Sequence, residues 1–134
     1  MRNLIPLKRW TLFLVALHCL FASAPSLAQD EVKVFATVDR NQMQVGDTFT
    51  YKVTVSASGT VAAGAPSLPD LKDFDMLNSW TSQQSRSVLA NGKFEVTQSR
   101  IFNYMLAPKT SGRLTIKGAT VIACNKTYVT KPIT

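Results

Sequence analysis

Apolar and polar residues alternate with a period of two along most of the chain from Val32 onward, and no long stretch carries the spacing of an amphipathic helix. That pattern predicts β-strands with one face turned inward. Val32, Val34, Ala36 and Val38 fall on one side of the first strand, with Lys33, Phe35, Thr37 and Asp39 on the other. Asp39-Arg40-Asn41-Gln42 reads as a turn. After Val45-Gly46-Asp47, the residues Phe49, Tyr51, Val53 and Val55 alternate with Thr48, Thr50, Lys52 and Thr54, which is the clearest half-buried strand in the chain.

Residues 56 to 73 change character. Small residues, two glycines and Pro66-Ser67-Leu68-Pro69 predict a loop that crosses between sheets. Phe74 to Trp80 reads as a short strand whose alternation breaks at Met76-Leu77, and a polar run from Thr81 to Leu89 follows. Asn91-Gly92 between two extended segments predicts a tight hairpin, because both residues tolerate the positive φ of a type I′ turn. On its second arm Phe94 and Val96 are in phase with Phe102, Tyr104 and Leu106, yet Gln98 and Arg100 lie between them on the same face. Either that strand leaves the core midway or a bulge near Ser99 shifts its phase. Ala107-Pro108-Lys109-Thr110-Ser111-Gly112 reads as the next turn, since Pro108 cannot donate to a ladder. Further strands begin at Leu114-Thr115-Ile116 and Val121-Ile122, and Asn125-Lys126 connects to a last one from Tyr128 to Ile133.

About seven short strands with turn chemistry between them predict an all-β fold, an antiparallel sandwich of immunoglobulin type. A small closed barrel would satisfy the same alternation. The expected core is Phe49, Tyr51, Val53, Phe102, Tyr104, Leu106, Leu114 and Ile116.

The start of the chain has a different grammar. Arg2, Lys8 and Arg9 precede an apolar stretch from Thr11 to Ala24, and Ser26-Leu27-Ala28 offers the small residues that a signal peptidase requires, with cleavage between Ala28 and Gln29. The apolar run, about 14 residues at roughly 1.5 Å each, falls short of the ~30 Å of a membrane core. Residues 1–28 are therefore expected to be a cleavable export signal and residues 29–134 a single domain. Export places the domain in the periplasm or on the periplasmic face of the inner membrane. At the other end the chain stops within a strand, at Pro132-Ile133-Thr134, which predicts that it is the first domain of a longer protein.

Removing the leader changes the charge and the chemistry. Twelve of the 15 Lys and Arg residues remain against 8 acidic ones, a net charge of +4, and these cations are scattered rather than clustered. Nucleic acid is not an expected partner. Both His18 and Cys19 lie within the leader, so the mature domain has no histidine and only Cys124 as a thiol. Neither a Ser-His-Asp constellation nor a histidine zinc site can be assembled, and no catalytic residue, metal or cofactor is expected. Asp70, Asp73 and Asp75 are close enough in sequence to suggest a carboxylate pair, but a solvated acidic loop explains them more simply. Cys124 reads as a small apolar filler in a strand. Trp80, set among Asn78, Ser79, Thr81 and Ser82, is the aromatic residue expected to be exposed. Together with Pro66, Pro69 and Asp70 of the crossing loop, it is a candidate contact for a ligand or partner.

Three segments point further. Val45-Gly46-Asp47-x-Phe49-x-Tyr51-x-Val53, the Pro66-Ser67-Leu68-Pro69 loop leading to Phe74, and Phe102-x-Tyr104-x-Leu106-x-Pro108 with Gly112, Leu114 and Ile116 together resemble the amino-terminal domain of the BatD family of oxygen-tolerance (aerotolerance) proteins. The closing stretch from Lys126 to Ile133 is also similar. The resemblance implies a long envelope protein with several immunoglobulin-like domains and a membrane helix near its carboxyl end, beyond the residues here. It also implies partners, namely other Bat proteins with von Willebrand type A domains and a MoxR-type ATPase, and no established catalytic residues. Two functions follow as expectations: a non-catalytic protein-interaction scaffold, or a carbohydrate-binding or adhesion module of similar fold.

Overall fold

The computed structural model describes residues 31–134, so the export leader and its cleavage site between Ala28 and Gln29 lie outside the described residues. The described part is all β: β1 (Lys33–Val38), β2 (Phe49–Ser58), β3 (Phe74–Ala90), β4 (Lys93–Pro108), β5 (Thr120–Ala123) and β6 (Lys126–Val129). The first four build an antiparallel sheet in the order β1-β2-β4-β3, and β5 pairs with β6 in a second sheet.

The stretch between β2 and β3 widens the second sheet. Ser67 and Thr120 exchange both backbone hydrogen bonds, at 2.8 and 3.0 Å, and Ala63 lies opposite Ala123. Pro66 has no N–H to give, which keeps this pairing to isolated bridges rather than a full strand. Beyond β5 and β6, Ile116 and Ile133 also exchange a pair of backbone bonds. The resulting layers, β1-β2-β4-β3 against the 63–67 stretch with β5 and β6, have the strand distribution of a constant-type immunoglobulin sandwich. The two sheets do not close into a barrel.

Alternation explains the core. On β2, Tyr51, Val53 and Val55 have no exposed surface and Phe49 only 4%, and they stand opposite Tyr104, Phe102, Arg100 and Leu106 respectively on β4. From the second layer Ala63, Ile116, Ala119, Val121 and Ala123 pack against them, and Phe49 meets Phe74 edge to face at 5.7 Å. Tyr104 and Leu114 are only partly buried at the margin. The turn before β2 also has a physical basis. Asp47 accepts a hydrogen bond from the backbone of Gln44 at 3.0 Å, and Gly46 takes the positive φ of +91° that this reversal needs.

The structure corrects the sequence reading in four places. First, the short strand and the polar run after it are one 17-residue strand, β3, and the break at Met76-Leu77 is a bulge that the pairing with β4 absorbs. A polar sequence did not end the strand because β4 supplies a partner for its backbone throughout. Second, β2 continues to Ser58 and β4 to Pro108, so the crossing loop begins later than residue 56 and the turn before Gly112 later than Ala107. Third, no strand begins at Leu114-Thr115-Ile116, where Ile116 makes only an isolated bridge to Ile133, so the described residues form six strands rather than seven. Of the two readings of Gln98 and Arg100, the strand leaves the core midway, its register with β3 unbroken from Asn78 to Ala90. Fourth, Cys124 is no strand filler. It is exposed and forms the β5–β6 turn with Asn125, both at positive φ, while Lys126 already belongs to β6.

Candidate functional site

The β3–β4 hairpin reaches past the sandwich that supports it. Pairing between β2 and β4 ends at Ser58 opposite Thr97, with one further bond from the Gly59 N–H to the Val96 carbonyl at 3.1 Å. Beyond that point, Ser87 to Ala90 pair only with Lys93 to Val96. At about 3.4 Å per residue, the free end projects by roughly 14 Å. Asn91 and Gly92, at φ 52° and 75°, close it as their sequence predicts.

Alternation continues into this projection, and its apolar residues lose their cover. Phe94 is 79% exposed and Leu89 opposite it 62%, with Val88 and Val96 near two-fifths. Isolated exposed apolar residues are ordinary; here Leu89, Phe94 and Val96 share one face of the tip, with Val88 on the other.

The free edge of β3 is the second feature. β3 is the outermost strand of its sheet, so its far side presents backbone N–H and C=O groups without a ladder partner. Edges are normally blunted by charges or proline, yet Asn78 to Ser85 contain neither.

Trp80 stands on the outer face of the same sheet, 43% exposed, opposite Asn103 and in the row of Lys52 and Thr37. The Asn103 amide fixes this part of β3 by donating to the Trp80 carbonyl and the Ser82 hydroxyl, both at 3.3 Å. Pro66 and Pro69 are partly buried and Asp70 is exposed, all in the segment that leads from the second layer to β3. The two groups therefore sit on different layers and do not form one site. Asp70 turns its carboxylate to the Lys72 N–H at 3.1 Å, while Asp75 lies 3.4 Å from the Lys109 ammonium. Among the described residues no three His, Cys, Asp or Glu side chains converge as a metal site would require. The hairpin tip was missed by the sequence reading, although its signal was present: Phe94 and Val96 continue the inward phase of β4 beyond Gln98 and Arg100, with Leu89 of β3 opposite Phe94.

A family model described as BatD DUF11 like domain matches residues 36–134. Neither a search of curated proteins nor one of solved structures finds a match.

Proposed function

The chain belongs to the BatD family, and on that premise we propose that it is a non-catalytic protein-interaction domain of an exported envelope protein linked to oxygen tolerance. The observation that carries this reading is the projecting β3–β4 hairpin, which combines an uncharged sheet edge with an apolar tip. A partner can add a strand to such an edge, gaining affinity from main-chain hydrogen bonds and specificity from the flanking side chains. The partners proposed are other Bat-type envelope proteins with von Willebrand type A domains, met at the periplasmic face of the inner membrane.

Capture of those proteins from envelope extract by the tagged protein tests the proposal. Proline replacement of Thr81 or Gln83, whose N–H groups face the free edge because Ser82 and Gln84 are the residues hydrogen-bonded to Ile101 and Ser99 of β4, should abolish capture while leaving the melting temperature close to the parent's. Undiminished capture by both variants, or no Bat-type protein recovered, rejects it.

The exposure of Trp80 on a sheet face shared with Ser82, Thr50 and Thr54 favours a second reading, a carbohydrate-binding module that stacks a sugar ring on the indole. Saturable glycan binding that is lost in Trp80→Ala, without Bat-type capture, would establish it in place of the first.

A further inference from the structure

Arg100 is the only charged side chain on the inner face of the first sheet. The inward positions of β1 and β2 are Val34, Ala36, Val38, Phe49, Tyr51, Val53, Val55 and Ala57, and those of β3 and β4 are otherwise apolar or neutral polar. It stands opposite Val55, three residues before β2 ends at Ser58 and the hairpin loses its support. One of its Nη groups donates to the Ala63 carbonyl at 2.8 Å, but its Nε–H is buried without any partner. No carboxylate pairs with it, since the ion pairs among the described residues join Lys33 to Glu31 and Lys109 to Asp75.

A buried guanidinium N–H left unpaired costs free energy that a single carboxylate would recover, because the guanidinium fork matches two carboxylate oxygens. The surroundings leave room for one. Arg100 is partly exposed and lines a notch of about 350 Å³ with Thr60, Val61, Gln83, Ser85 and Gln98. Outward from the notch the same face continues, by alternation, through Val96 and Phe94 with Leu89 opposite. A partly exposed cation lining the notch therefore adjoins an exposed apolar surface.

We propose that this notch is the specificity site of the interaction surface, and that it takes an Asp or Glu side chain of a partner segment whose neighbouring apolar residues lie on Val96, Phe94 and Leu89. The assignment rests on the protein-interaction reading above and names the partner's chemistry: an acidic residue flanked by apolar ones in an extended segment. The charge argument decides between occupants. A second copy of this domain, itself basic, would offer its own hairpin, whose inner face carries no acid.

The test is selection of a random displayed peptide library on the purified immobilised chain, repeated with Arg100→Gln, Arg100→Lys and the double variant Leu89→Ser/Phe94→Ser. Peptides enriched on the parent should carry Asp or Glu next to apolar residues. The preference for the acid over its amide should fall about tenfold on Arg100→Gln, and Arg100→Lys should restore part of it, as a charge without the fork would. The hairpin variant should lose the apolar preference and keep the acidic one. Enrichment without an acidic residue, an unchanged selection on Arg100→Gln, or no enrichment overturns the assignment. If Arg100→Gln lowers the melting temperature but leaves the selected peptides unchanged, Arg100 is only a clamp on Ala63. Bat-type capture that depends on the β3 edge but is indifferent to Arg100→Gln also rejects this site and leaves the broader reading standing, whereas absent capture rejects the broader reading.

Discussion

Single residues in the core carry consequences that the strand pattern alone does not show. Tyr51 is fully buried, and its hydroxyl has no hydrogen-bond partner of good geometry. Burial raises its pKa above the ordinary 10.0 of a phenol, with the nearby Thr130 hydroxyl opposing the shift. Tyr104, 6.2 Å away between ring centroids, is raised for the same reason and by the proximity of Tyr51. In the unfolded chain both phenols would ionise near pH 10, while the folded state still holds their protons. Stability should thus be level with respect to these groups below about pH 10 and fall as pH rises beyond it. Tyr51→Phe keeps the ring and removes the unpaired donor, so it is expected to be neutral or stabilising by about 1 kcal/mol. Its alkaline loss should also be shallower than the parent's, with Tyr104 accounting for the remainder, as melting curves in a pH series would measure. A Tyr51→Phe variant several degrees less stable at neutral pH would mean that the hydroxyl is satisfied after all.

At the level of elements, the two hairpin turns make an instructive pair. Asn91-Gly92 has the residues its dihedrals demand, and the turn was readable from them. Cys124-Asn125 adopts the same kind of turn with a cysteine at φ 49°, a conformation that costs an ordinary side chain roughly 1 kcal/mol. Sequence reasoning placed the turn one residue late because cysteine carries no turn signal. Cys124→Asn should raise stability by about 0.5–1 kcal/mol, measurable by urea denaturation, and no change would indicate that the turn already relaxes the strain. Gly118 gives a comparable lesson. Its own neighbours in sequence say nothing, but a methyl group there would overlap the Thr130 carbonyl. The backbone of Thr130 comes this close because its N–H and its hydroxyl both bond to Ala119, each at 2.9 Å.

The whole molecule stands on one core shared between its sheets. Phe102, 6% exposed and opposite Val53, lies within it, and Phe102→Ala should cost roughly 3–5 kcal/mol, a large part of a small domain's stability. Cys124 is the only thiol of the described residues and cannot close a loop. Melting of the monomer should therefore be the same with and without dithiothreitol. A Phe102→Ala variant that melts like the parent would remove this residue from the core, and a marked fall in melting temperature on reduction would require a covalent link that the fold does not provide.

How much of this was legible in the sequence follows from the range of each interaction. The all-β class, the inward faces of β1 and β2, the Asn91-Gly92 hairpin and the sandwich class were readable, because alternation and turn dihedrals are properties of a few consecutive residues. The tertiary structure alone decided where the core stops. Phe94 and Leu89 have the same phase as Phe102, and what separates exposed from buried is that β2 ends at Ser58 opposite Thr97, leaving the hairpin beyond it without that neighbour. The unpaired guanidinium, the free edge of β3 and the close approach at Gly118 are of the same kind. Each depends on which distant segment lies opposite, and that is determined by long-range register and packing rather than by the residues themselves.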